Sequence, residues 1–188
     1  MISEQKISNP VLLDSVIQDI QEGLLIKLPW LNKAFGRAFK IEEPMANGKS
    51  KKFPATYSTA SEYESVFPDD ARGNYSFFEI SDPVKIDYSL KLPIIKANGF
   101  LIFWFNTLSV YPDNNRLYIE DIKFDILKAI STIRLSPGNR IQVSNIYEKP
   151  ENIFKGYDIS QIDSQYLMQP YYGLKFEIEL TTRALCYK

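Results

Sequence analysis

The stretch Tyr172-Gly173-Leu174-Lys175-Phe176-Glu177-Ile178-Glu179-Leu180-Thr181-Thr182-Arg183 alternates apolar and polar side chains, and the alternation runs on through Ala184 and Leu185 to Cys186. A strand half buried in a sheet has this period of two, because successive side chains leave opposite faces. A chain closing on such a strand is expected to use its last residues to complete a sheet. Leu174, Phe176, Ile178 and Leu180 are predicted to pack under a helix, leaving Lys175, Glu177, Glu179 and Arg183 outward.

The covering helix is legible upstream. Ile119, Ile122, Ile126, Leu127, Ile130 and Ile133 recur at helical spacing, Glu120 and Asp121 suit the positive N-terminal end, and Ser136-Pro137-Gly138-Asn139 stops the run. Ile141, Val143 and Tyr147 begin a further strand. Phe100-Leu101-Ile102-Phe103-Trp104-Phe105 is apolar on both faces, as in a central strand covered on both sides, and Asn98-Gly99 before it reads as a turn. Strands are also expected over Phe53 to Ser58, over Asn74 to Ile80, and over Pro83 to Ile95, where Val84, Ile86, Tyr88, Leu90 and Leu92 alternate with polar residues. Tyr111 to Leu117 reads as a turn.

Nearer the start, Asn9 and Pro10 offer an N-cap and a first-turn proline to a helix through Leu12, Leu13, Val16, Ile17 and Ile20, with Gly23 as its stop. Leu28-Pro29-Trp30-Leu31 breaks the pattern. Trp30 to Phe39 is then expected to be a turn followed by irregular or short strand structure, although a second short helix also fits. Two segments, 43–74 and 149–171, read as long excursions on one α+β domain spanning 1–188. The expected fold is therefore α+β: a mainly antiparallel sheet packed with an N-terminal helix and one long central helix, with extended loops.

Composition bounds the function. The chain has 188 residues, 45% of them hydrophobic, enough to bury a core, and its 14% aromatic content favours sheets and large contact surfaces. The formal net charge of -1 argues against a dedicated nucleic-acid binder. The polar start predicts no secretory signal, and the longest apolar run, Phe100 to Phe105, falls far short of the roughly 20 residues that span a bilayer. No membrane partner is expected.

The sequence contains no histidine, which removes the commonest general base and metal ligand. Its eight glycines are too widely spaced for a phosphate-binding loop. Pro112-Asp113 followed by Asp121-Ile122-Lys123 matches the order of one Mg²⁺ nuclease superfamily, yet Asp121 and Lys123 are also ordinary first-turn residues of a solvent-facing helix. Asp69, Asp70 and Asp82 read as turn or cap residues, and Cys186 as a buried small hydrophobe. Asn74-Tyr75-Ser76 is a glycosylation triplet without a secretion context. No catalytic residue, metal or cofactor is expected. Lys49, Lys51 and Lys52 read as a solvated basic loop that could also touch phosphates or acidic surfaces, while Trp30, Phe35 and Phe39 suit either core packing or a partner contact.

Trp30-Leu31-Asn32-Lys33-Ala34-Phe35-Gly36-Arg37-Ala38, Gly73 to Phe78, Phe100 to Asn106 and Tyr172 to Arg183, taken in this order, resemble the tail-terminator and head-to-tail joining proteins of tailed bacteriophages. The likeness is to the neck ring proteins of crAss-like phages and related Bacteroides elements in particular. It implies a non-enzymatic virion protein assembled in the bacterial cytoplasm. The resemblance implies that its copies form a ring in the neck between portal or adaptor and tail, and leaves passing genomic DNA, contacted without sequence specificity, as an open further partner. On this reading the contact residues are Trp30, Phe35, Arg37, Phe39, Lys49, Lys51, Lys52, Phe154, Tyr157 and Tyr171, from the Trp30 to Phe39 arm and the two excursions. The alternatives are a monomeric protein-binding adaptor from a mobile element and a Mg²⁺-dependent nuclease.

Overall fold

The computed structural model describes residues 3–4, 7, 9–45, 48–57, 62–88, 92–112 and 118–183. They form an α+β fold around one mixed, mainly antiparallel sheet of nine strands. In chain order the elements are β1 (Ser3–Glu4), α1 (Leu13–Lys27), β2 (Lys33–Pro44), β3 (Ser50–Tyr57), β4 (Tyr63–Ser65), β5 (Tyr75–Ile80), β6 (Lys85–Asp87), β7 (Ile94–Asn106), α2 (Thr107–Val110), α3 (Ile119–Thr132), β8 (Arg140–Tyr147), α4 (Pro150–Ile153) and β9 (Tyr171–Arg183). The main path across the sheet is β4-β3-β2-β5-β7-β9-β8, with β1 added to β2 and β6 to β7. The β1–β2 and β2–β5 pairs are parallel, the others antiparallel.

The spine is β7, as the two-faced apolar run predicts. Leu101, Phe103 and Phe105 enter a core beneath α1 and α3, while Ile102 and Trp104 enter a second core on the opposite face. Its partner β9 pairs with it from Ile94↔Arg183 to Asn106↔Tyr171. Leu174, Phe176, Ile178 and Leu180 lie in the helix-covered core, as the alternation requires. Lys175 departs from expectation. It does turn to the other face, but that face is covered, leaving it 4% exposed.

Asn98-Gly99 is not a turn. Both residues lie inside β7, where Gly99 pairs with Ile80 and a Cβ at Gly99 would collide with the Glu79 carbonyl oxygen. The glycine serves close backbone approach, and the amide of Ser81 donates to the Asn98 carbonyl at 2.9 Å. The strand expected over Pro83 to Ile95 is likewise broken. Only Lys85–Asp87 and the start of β7 are strand there, with β6 exposed throughout, and Ser89, Leu90 and Lys91 lie outside the described residues.

At the N-terminal end, Asn9 and Leu12 have positive φ, so α1 begins at Leu13 without the expected Asn9 cap. Gly23 does not stop it. It sits within α1 where the helix meets the segment after α3; a Cβ there would lie 2.6 Å from Ile133 side-chain carbons. The helix runs to Lys27, and Pro29, which lacks an N–H, ends it. The second expected helix is α3, 14 residues against 15 in α1, so two comparable helices cover the sheet rather than one dominant central one.

The arm after Trp30 is a strand of 12 residues, longer than expected. Its register shifts between Ala34 and Arg37, changing the phase of the alternation, which is why period two fails to reveal it. The two excursions are also more than loops. Segment 43–74 supplies β3 and β4 to the sheet, and 149–171 folds α4 and two short 3-10 turns over the second face. Ile153, Phe154 and Ile162 from that cover join Val66 and Phe67 in the second core.

Candidate interaction surfaces

Packing decides which of the expected contact residues can meet another molecule. Phe35 and Phe154 cannot: they are 4% and 1% exposed within the second core. Trp30 is half buried, its ring 5.5 Å from that of Phe105 and 6.4 Å from that of Phe103, so it belongs with the first core. Tyr157 and Tyr171 are partly buried against the second core. Tyr171 donates to the carboxylate of Asp70, and Lys40 lies over the Tyr157 ring at 5.8 Å. Burial first, and the Glu79 charge next, push the Tyr157 hydroxyl far above its ordinary pKa.

The basic residues of β3 face acidic residues across their own hairpin. Lys51 pairs across the strands with Glu43, and Lys52 with Glu42, whose carboxylate lies 3.5 Å from the ammonium. The Ser50 hydroxyl donates to Glu42 and, ahead of the lysines, holds its carboxyl below the usual range. Lys49, just before β3, is also engaged. This hairpin therefore presents alternating charges rather than a phosphate-binding patch.

Lys123 of the nuclease-like pattern, expected to face solvent, has a side chain only 12% exposed. Lys123 spans Glu120 at 2.5 Å and Glu148 at 2.7 Å, Asp121 is exposed, and Asp113 lies outside the described residues. Burial draws the Lys123 pKa down, but the hydrogen bonds to Glu120 and Glu148 outweigh it and raise the value. Glu148 is held low, chiefly by the Lys123 hydrogen bond and further by the Tyr172 hydroxyl, which donates to it at 3.0 Å. Nearby, Tyr111 is pushed up to about 12 by burial and by its hydrogen bond to Asp125. Among the described residues no group of acidic or thiol side chains is arranged to hold a metal ion. Cys186 lies outside them.

Asn74 is a structural pivot. Its Nδ2 donates to the Trp30 carbonyl at 2.9 Å and to Ser109 Oγ at 2.8 Å, and its Oδ1 accepts from the Asn106 amide at 2.8 Å. Its backbone amide donates to Asn32 Oδ1 at 2.8 Å. With both amide atoms committed and 3% exposure, it is no glycosylation acceptor. Among the described residues no helix is long and apolar enough to cross a membrane.

Among the described residues, exposed hydrophobic side chains gather at opposite ends of the sheet. At the β2–β4 end, Phe39, Tyr57 and Tyr63 are 40%, 54% and 53% exposed. Their rings contact one another edge-on, with centroids 6.2 Å apart for Phe39–Tyr63 and 5.3 Å for Tyr57–Tyr63. Arg37 lies over Phe39 at 5.1 Å. At the β8 end, Phe124 and Leu127 of α3 project 64% and 37% exposed beside a groove of about 870 Å³ floored by Ile141 and Val143. Of the expected contact residues, Phe39 and Arg37 fall on the first surface and none on the second. Phe124 carried a usable sequence signal: it is a large hydrophobe off the Ile119–Ile122–Ile126 stripe. Tyr57 and Tyr63 carried less, because tyrosine is common on both faces of strands.

No protein-family model matches the chain, and no curated protein matches it.

Proposed function

We propose that this chain is a structural protein that assembles head to tail with copies of itself, as a ring in the neck of a tailed bacteriophage between portal or adaptor and tail. The observation carrying the assembly reading is the pair of unlike apolar surfaces at opposite ends of one sheet, Phe39–Tyr57–Tyr63 and Phe124–Leu127. Isolated exposed hydrophobes are ordinary on a folded surface; clustered ones mark contact sites. Two different patches on one subunit suit a heterologous contact, which closes into a ring when the rotation between neighbours divides a full turn. A net charge of -1 keeps repulsion between copies small. The neck assignment rests on the sequence resemblance carried by Trp30 to Ala38, Gly73 to Phe78, Phe100 to Asn106 and Tyr172 to Arg183.

Mass photometry of the purified chain tests the reading, with a discrete ring-sized species as the expected result. A chain that stays monomeric is an adaptor instead. Mg²⁺-dependent DNA cleavage lost in Asp121→Ala would make it a nuclease.

A further inference from the structure

We infer that neighbouring copies join by strand addition, the β4 edge of one copy pairing with the β8 edge of the next; this rests on the ring reading above. In the sheet path β4 and β8 are the terminal strands, each bonded to one neighbour among the described residues. Each therefore presents a row of backbone groups suited to a further strand.

The lengths agree. β4 is three residues long, and the regular part of β8 runs from Arg140 to Val143, where the register with β9 shifts around Ser144. The faces agree as well. On one side of β8, Ile141 and Val143 form the apolar groove with Phe124, Leu127, Ile133 and Leu135. On the other, Arg140 and Gln142 share a polar groove of about 630 Å³ with Lys96 and Arg183, in which Glu179 is the acidic member. A strand seated beside β8 alternates in the same way. When Tyr63 of the incoming edge points into the apolar groove, Glu62 beside it points toward Arg140, Arg183 and Lys96, while Glu64 stays paired with Arg72 of its own chain. An aromatic residue next to a carboxylate meets an apolar groove backed by bases. This complementarity selects a second copy, through its own acidic edge, as the occupant.

The test uses two exposed positions whose substitution spares both cores. Phe124→Asp disables the groove and keeps the edge; Tyr63→Asp disables the edge and keeps the groove. Each variant alone is expected to lose the ring-sized species, with far-UV circular dichroism unchanged. Mixed in equal amounts, the two should give a one-to-one dimer and nothing larger, because such a pair has a single intact edge and groove. As a second approach, Arg140→Glu should lower assembly and Glu62→Arg in the same chain should restore it.

Rings persisting in both single variants would overturn this contact and leave the ring reading standing. So would a mixture of folded variants that stays monomeric while the wild type forms rings. A wild-type chain that never exceeds a monomer overturns the ring reading, and this contact with it.

Discussion

Lys175 shows what a single position can hide. On sequence it is one of the polar residues alternating along the closing strand; in the fold its ammonium is 2.9 Å from Glu79 and donates to the Ile153 carbonyl at 3.0 Å. It also lies 4.2 Å from the Phe100 ring centroid, so cation–π attraction adds to the pairing. The side chains of Lys175 and Glu79 are 5% and 15% exposed. Removing one partner leaves the other charge buried, so Lys175→Ala is expected to cost about 3–5 kcal/mol in denaturant unfolding. Lys175→Met combined with Glu79→Leu should recover most of that loss, since well-packed apolar pairs replace buried ion pairs at little cost. Period two gave the facing of Lys175 correctly and its environment wrongly. The alternation reports which side of a strand a residue takes, and nothing local reports whether a distant segment, here Pro150–Ile153, covers that side.

Glu148 permits a prediction with a definite sign. Its carboxyl is held low by Lys123 and Tyr172, so it stabilises the fold at pH values above its unfolded value of about 4.3, and that contribution disappears as pH falls through the lower folded value. Thermal melts of Glu148→Gln should therefore lie below the wild type at neutral pH and converge with it in acid. The effect will be small, because the side chain is 40% exposed and the pair is screened by solvent.

At the scale of elements, legibility followed the regularity of the pattern. The closing strand β9 and the helix α3 keep one period over their length, and each lies within a few residues of where the sequence puts it. β2 changes phase at its bulge, so half of it reads one way and half the other. Asn98-Gly99 carries the same short turn signal as Asn47-Gly48, yet tertiary context overrides it, because the Glu79 carbonyl occupies the space beside Gly99. Gly99→Ala should consequently destabilise the protein by about 1–3 kcal/mol, the usual cost of forcing an extra carbon into a packed site. Replacing a glycine in a turn would show no such penalty unless its φ were positive. Hydrogen exchange at the β5–β7 pairing should speed up in the same variant.

For the molecule as a whole, one sheet carries two cores, and the segments that looked like free contact arms build the second. The first core was legible because its helices announce themselves by spacing; the second was not, because α4 and the 3-10 turns between 149 and 171 are too short to establish a period. Of the excursions' aromatics, Tyr57 and Tyr63 stay open at the sheet's end, while Phe154 is buried in the second core. Deleting 149–164 should unfold the protein, seen as loss of a cooperative melt, because it strips Ile153, Phe154 and Ile162 from the second core. A folded, assembling deletion variant would contradict the role assigned to that segment.

The register shift at Ser144 bears on how such a protein would be built up in the cell. An edge with a long unbroken run of free amides would seize any extended chain it met, including nascent or misfolded ones, and would fuse copies into fibres without end. Interrupted after Val143, the β8 edge offers only a short grip, too little to hold a stray strand on its own. In the proposed ring the apolar groove beside β8 would add to that grip, so that the joint would select a matching edge over any other extended chain. A closed circle of such joints would leave no edge free to recruit further chains.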